Sequence, residues 1–387
     1  MNSLLILFLI SYAIAVGVRL VLHTLNIRHL RKTGHVVPED FAGVADEKTL
    51  TGFLPWLAGI VNSYQMSFIV SGVLYFFILS LIFGLFEIPF DLIRTFGIER
   101  RFSFSTITIT TWISDLVKTL LVSGVIMGLF LGIFFWLVEK APETWWLLCW
   151  IFFVSFQLLI SWLYPVLIAP LFNTFVAIED VDLLKGITDL AERSGIHVKG
   201  IFTMDAGKRS RHSNAYFTGL GKSKRIVLFD TLLESHSRQE LLSVLAHELG
   251  HWKKGHIRKQ LFFSITLSFA VFYGSYLCVS GTNLYTAFGF TTHEIYAGLF
   301  LLTILFKPAA FLLSPLGAAI SRYFEREADE YAFEQTGNAD GLISALKNLA
   351  AKNLSNLYPH PAYAWFYYSH PPMIERIRRL KAMQGKK

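Results

Sequence analysis

The sequence predicts a predominantly α-helical, multi-span membrane protein whose polar parts form a small mixed domain on one side of the bilayer. Three observations carry this. Only 16% of the 387 residues are charged, against about a quarter in soluble domains, while 53% are hydrophobic. Apolar stretches approaching the ~20 residues that a bilayer requires recur along the chain. The remaining polar sequence gathers in two blocks, 170–260 and 318–387, each carrying part of one set of metal-ligating residue types.

The first span is expected at roughly 2–25. Ala13-Ile14-Ala15 resembles a signal-peptidase site, but no Lys or Arg precedes the apolar run and apolar character resumes after Arg19, so an uncleaved span is the reading. Further spans are expected at 67–89, 119–138, 145–169, 261–281 and 295–317. Thr49 to Phe86 carries no charge and is too long for one helix of ordinary tilt. A turn at Asn62-Ser63-Tyr64-Gln65 makes 49–62 a short seventh span. Arg28, Arg31, Lys32 and Lys48 precede that stretch, and Arg94, Arg100, Arg101 and Lys118 follow it. An even number of crossings between them places both basic loops in the cytoplasm. The organisation is then spans one to five in 1–169, a cytoplasmic block in 170–260, spans six and seven in 261–317, and a second cytoplasmic block in 318–387. The last two spans form a hairpin, so both blocks face the same side.

Composition also excludes. The formal charge of +7 is diluted by apolar sequence and fits basic loops at a lipid bilayer, with no nucleic acid as partner. The 35 Phe residues suit lipid-facing helices. Cys149 and Cys278 lie in apolar runs and read as small buried apolar residues rather than a disulfide. Arg19, Glu87 and Lys307 fall near span ends, where snorkelling accounts for them without a transport pathway.

Leu245 to Trp252 reads Leu-Ala-His-Glu-Leu-Gly-His-Trp, an HExxH flanked by apolar residues. On a helix this puts His247 and His251 one turn apart on one face, a pair suited to one Zn²⁺ per chain, with Glu248 beside them to accept a proton. Ser237 to Glu240 is a capping-box pattern that starts the helix. In the longer HExxHxxGxxH pattern the last two positions would be Gly and His; here they are Lys254 and Ile257. His256, five residues past His251, sits about 140° round a continuing helix and is poorly aimed. Glu325, in the helical stretch Ser321 to Ala332 that ends near Gly337, can complete a His₂Glu site, and Asp329 one turn on can accept a hydrogen bond from a ligand histidine. The competing reading is a solvated charged helix, which is how Glu327 and Glu330 read. A structural metal would need a fourth protein ligand, and none is evident. His212 and His236 are reserve ligands. Lys199–Met204 and Arg225–Phe229 read as strands, and Asn214–Phe217 as an edge to which an extended peptide can add. Asn214 reads equally as a turn residue. His370, before Pro371, should be extended and outside the final helix, where an exposed loop histidine is the plain alternative.

With these residues in hand the sequence resembles the type I CAAX prenyl protease family of seven-span zinc endopeptidases. The matching stretches are Lys208–Phe217, Lys224–Leu233, the HELGHW block, Ser321–Ala332, and Ser369-His370-Pro371-Pro372 with Glu375-Arg376. The resemblance implies Glu325 as third zinc ligand, Asp329 as partner of a ligand histidine, Asn214 on the substrate backbone and His370 near the scissile carbonyl. It implies spans enclosing a water-filled chamber, with the zinc site at its cytoplasmic end. Glu248 would act on water, hydrolysing the peptide bond without a covalent intermediate. The implied substrate is a prenylated protein or peptide that loses its C-terminal residues; a membrane quality-control protease acting on unprenylated substrates is the rival. Two departures stand out. The segment Glu234–Glu240 is short where eukaryotic members carry a long acidic insert, which favours a bacterial inner-membrane member over one of the endoplasmic reticulum. Tyr367 also stands where those members have histidine.

Overall fold

The computed structural model describes residues 3–33, 53–218 and 225–385. In chain order the helices are α1 Ser3–Thr33, α2 Leu54–Ser63, α3 Phe68–Leu92, α4 Ile109–Lys140, α5 Trp145–Leu163, α6 Ala169–Phe172, α7 Val181–Arg193 and α8 Asp230–Ser235. They continue with α9 Arg238–Lys253, α10 His256–Val279, α11 Asn283–Ala287, α12 Ile295–Thr336, α13 Asp340–Lys352, α14 Pro361–Tyr367 and α15 Met373–Gln384. Four strands interrupt them: β1 Phe175–Ala177, β2 Gly200–Met204, β3 Ala215–Thr218 and β4 Arg225–Phe229.

Six helical segments are long and apolar enough to cross a membrane: Leu7–Leu25, Phe68–Glu99, Ile109–Lys140, Trp145–Phe172, His256–Val279 and Ile295–Thr336. At most 22% of the most apolar window of each is buried, so their apolar surface is free to meet lipid. The stretch expected to add a short span is the 10-residue α2, about 15 Å long where the bilayer core is about 30 Å thick. Thr49–Gly52 lie outside the described residues. The turn falls at Tyr64 and Gln65, the latter with φ of 50°, and starts two residues later than expected because Asn62 and Ser63 stay in the helix. There the Asn62 amide donates to Glu294 (3.0 Å) and accepts from the Tyr296 hydroxyl (2.7 Å).

The chain forms two compact units. One contains Leu120–Gln157, Phe262–Ser314 and the described residues up to Phe90. Its core is aromatic: Tyr75, Phe135, Trp145, Phe288 and Tyr296 are all buried. The Phe135 ring lies so close over Gly72 that a Cβ there would come within 2.8 Å of it. Cys149 is buried as expected. Cys278 is instead exposed, because its side of α10 faces away from the core, and both thiols are free.

The other unit contains Asp91–Thr119, Leu158–Leu261 and Pro315–Lys387. Its sheet has the order β1-β2-β4-β3. The two predicted strands β2 and β4 pair directly and in parallel, and β3 is antiparallel on the outer edge of β4. One sheet face, with Ile201, Ala215, Ile226 and Leu228, is buried against Leu183, Ile187 and Leu190 of α7 and Leu241, Leu245 and Leu249 of α9. Leu342, Ile343 and Leu346 of α13 close the same core. α12 runs unbroken for 42 residues through Pro308 and Pro315, a tolerance common to apolar helices whose neighbours re-satisfy the freed carbonyls. It ends where expected, at Gly337 with φ of +77°.

Candidate active site

The site is assembled from α9, α12 and the start of α15. Ser237 and Glu240 form the predicted capping box: the hydroxyl accepts from Glu240 N (3.4 Å) and the carboxylate from Ser237 N (2.7 Å). The other Glu240 oxygen accepts from Ser344 (2.6 Å) and Asn348 (2.8 Å), which pins the start of α9 to α13. Leu241, Leu245 and Leu249 point one stripe of α9 into the core. His247 and His251, two residues on from Leu245 and Leu249, therefore emerge about 200° round the helix.

α12 passes close to that histidine face at Gly250. A Cβ on Gly250 would meet Ala328 Cα at 2.9 Å and Ala328 O at 3.2 Å. Backbone cannot yield as a flexible side chain can, so Gly250→Ala must push the two helices apart. We expect it to destabilise the protein by about 1–3 kcal/mol and to lower metal retention. A variant that melts and retains metal like the parent would show that the approach is not needed.

Across this contact Glu325 meets both histidines. His247 Nε2 lies 3.3 Å from His251 Nε2, and the two nitrogens lie 3.3 Å from Glu325 Oε2 and Oε1 respectively. Behind His247, Nδ1 is 2.9 Å from Asp329 Oδ1. Asp329 in turn accepts two hydrogen bonds from Arg376, at 2.9 Å from Nε and 2.6 Å from Nη2. Burial disfavours a charged His247, yet its bonds to Asp329 and Glu325 outweigh this and lift its pKa to about 9. Burial also raises the Glu248 carboxyl above the ordinary carboxylate range, against a lowering by His247 and His251.

Residues 178–384, more than half of the chain, match peptidase family M48. The chain belongs to that family. Residues 48–174 match the CAAX prenyl protease N-terminal family, which has five membrane helices. CAAX prenyl protease 1 of Saccharomyces cerevisiae is 36% identical over 84% of this chain and 76% of its own. A CAAX prenyl protease 1 homolog of Arabidopsis thaliana is 34% identical over 90% of this chain and 78% of its own. A Bacillus subtilis relative named uncharacterized metalloprotease YhfN is 33% identical over 78% of this chain and 71% of its own. The crystal structure of S. mikatae Ste24p matches with a TM-score of 0.86 and 30% identity, covering 98% of this chain and 99% of that one. The protein is a membrane metalloendopeptidase, of a family whose metal is typically zinc.

In this M48 member the other sequence-singled residues lie as follows. His370 lies outside the final helix as expected, but in a bend just before α15 rather than in extended chain, with Nε2 3.2 Å from Glu325 Oε1 and Nδ1 3.0 Å from the Ser369 hydroxyl. Asn214 is exposed at the start of the edge strand β3, and its side-chain oxygen accepts from Ala215 N (2.9 Å). The reserve candidates are elsewhere: His212 stacks on Phe104 with Nδ1 2.9 Å from Asn353 Oδ1, and the buried His236 bonds Ser235. One expectation needs correction. Glu327 and Glu330 are not simply solvated charges, because Glu327 bonds His256 (3.0 Å) and Glu330 pairs with Arg379. His256, read as poorly aimed to be a ligand, lies outside the His247–His251–Glu325 group but contacts His251, Nδ1 to Nδ1 at 3.0 Å.

Arg376 gives little sign of its role in the sequence beyond its place in the Glu375-Arg376 pair. Met373, Ile377, Leu380 and Met383 pack into the core, and Arg376 falls on the same stripe of α15. A cation at an apolar helix position signals a buried acidic partner. Arg322 gives equally little sign of its role. It is buried and donates to Tyr368 O at 2.6 Å, which anchors the segment leading to His370.

Proposed function

We propose that this protein is a zinc endopeptidase that removes C-terminal residues from prenylated, CAAX-type substrates at the cytoplasmic face of its membrane. Its extensive identity with the yeast CAAX prenyl protease 1 carries the substrate class. For the metal, the donor set itself supports zinc. Two atoms bound to a tetrahedral Zn²⁺ at about 2.0–2.1 Å lie about 3.3 Å apart, which is the separation of His247 Nε2 from His251 Nε2 and of each nitrogen from one of the two Glu325 oxygens. Glu325 Oε2 is moreover buried and receives no hydrogen bond among the described residues. Arg376 Nη1 pairs with it at 3.5 Å but makes no hydrogen bond, which leaves a lone pair of this buried oxygen for a metal ion.

His247, His251 and Glu325 would hold the ion, which supplies Lewis acidity toward the scissile carbonyl and acidifies water at neutral pH. Glu248 takes the proton from the attacking water as its oxygen bonds the carbonyl carbon, then returns a proton to the amine as the C–N bond breaks. His370 can donate Nε2–H to the oxygen that gains charge. Asp329 accepts the His247 Nδ1 proton, keeping Nε2 free to ligate. The substrate adds in extended form along the free edge of β3. Asn214 uses its oxygen on Ala215 N, so its side-chain N–H groups are left for the substrate backbone. For the side of the membrane, the basic segment holding Arg94, Arg100, Arg101 and Lys118 belongs to the same compact unit as the site, joined by the Arg209–Asp115 pair at 2.7 Å. Basic segments favour the cytoplasm.

The test is cleavage of a farnesylated CAAX peptide and its unprenylated twin by detergent-purified protein, with and without a zinc chelator. Chelator-sensitive cleavage that favours the farnesylated peptide is expected. Equal cleavage of both would replace the prenyl specificity with general membrane-protein quality control, and chelator-resistant cleavage would overturn the zinc assignment.

A further inference from the structure

α9 stops at Lys253, and the chain reverses at Gly255. Lys254 N donates to Gly250 O (2.9 Å) and Gly255 N to Trp252 O (3.1 Å), with Gly255 at φ of +70°. That left-handed turn, which favours glycine, brings His256 back toward the histidine pair. Its ring is buried, stacked on Phe324 at 4.2 Å and 11°. Nδ1 of His256 lies 3.0 Å from Nδ1 of His251, and Nε2 of His256 lies 3.0 Å from Glu327 Oε2. Lys259 Nζ stands 3.9 Å from the same Glu327 oxygen and 5.4 Å over the Phe324 ring.

These contacts fix where the protons sit. A carboxylate only accepts, so the Glu327 bond puts the His256 proton on Nε2 and leaves a lone pair on its Nδ1. The facing His251 Nδ1 must then carry the shared proton, which leaves His251 Nε2 with a lone pair directed to Glu325 and His247. We propose that His256 and Glu327 are positioning residues: a two-step relay that holds His251 in the tautomer and orientation required of a metal ligand. The inference rests on the zinc reading above and extends it. The two ligand histidines are then backed unequally. His247 leans directly on a buried Asp–Arg pair, whereas His251 leans on a second imidazole whose carboxylate is 21% exposed.

The experiment measures zinc affinity by dialysing detergent-purified full-length protein against zinc–chelator buffers and counting bound metal. His256→Phe retains a ring against Phe324 but offers His251 no acceptor, so its zinc Kd should rise about 10–100-fold. Glu327→Ala should shift the Kd in the same direction and reads the relay even where His256→Phe folds poorly. His256→Gln, with one acceptor and one donor in similar positions, should recover most of the loss. Melting temperatures in metal-free buffer should stay with the parent. Parental zinc affinity in His256→Phe and Glu327→Ala overturns the relay. A fall in metal-free melting temperature that Gln does not rescue assigns His256 to packing alone and also overturns it. An unsubstituted protein that binds no zinc sinks the metal reading itself, and the relay with it.

Discussion

Glu248→Gln is expected to keep its metal and to lose peptide hydrolysis by about 10²–10⁴-fold, the span that a positioned general base contributes. The substitution preserves shape and removes the acceptor. Glu248 supplies no ligand atom to the His247–His251–Glu325 group, so metal content should be unmoved while turnover collapses. Its environment suits the role: burial raises the carboxyl above its ordinary value, which makes it a better base and proton donor. Single-turnover cleavage of the farnesylated peptide, with metal counted on the same sample, measures both. Cleavage within about tenfold of the parent would remove Glu248 from the chemistry.

Arg376→Ala should be the most destabilising single change in the site. The guanidinium side chain is 7% exposed and faces Asp329 at 2% and Glu325 at 6%. Against burial, which disfavours its charge, Asp329 and Glu325 keep it protonated. Removing it leaves two buried carboxylates short of a counter-charge, which typically costs about 3–5 kcal/mol. For a unit of this size that is a fall of roughly 10 °C in melting temperature. Arg376→Lys should recover little, since an ammonium cannot reproduce the two parallel bonds to Asp329. Thermal unfolding in detergent checks this, and a shift of only one or two degrees would mean that the clamp carries no weight.

Much of this arrangement was legible residue by residue. The i, i+4 spacing of His247 with His251, and of Glu325 with Asp329, states in advance which side chains share a helix face. What it leaves open is whether those faces meet. The resemblance to a known family, rather than the spacing, paired Glu325 with the histidines. The close approach at Gly250 then appears only in three dimensions. His256 was set aside by an arithmetic of 100° per residue that holds only while a helix continues. Gly255 is where it stops, and a glycine after the last turn of a basic-ended helix is a readable stop signal. Glu327 was obscured by its neighbours, since a row of alternating charges has the same composition whether it meets solvent or a buried imidazole. β1, three residues long, is too short for any alternation to show.

The Arg376 clamp also imposes an order in time. A chain grows from its N-terminus, and its domains organise as they emerge. The histidine pair of α9 is made well before α12 delivers Glu325 and Asp329, and all of these precede the arginine that neutralises them. Until residue 376 is added, Glu325 and Asp329 have the histidines of α9 but not the guanidinium that neutralises them in the interior, so the nascent enzyme carries its reactive groups without a finished centre. Hydrolytic competence thus waits until all six described candidate membrane helices, the last ending at Thr336, have been made.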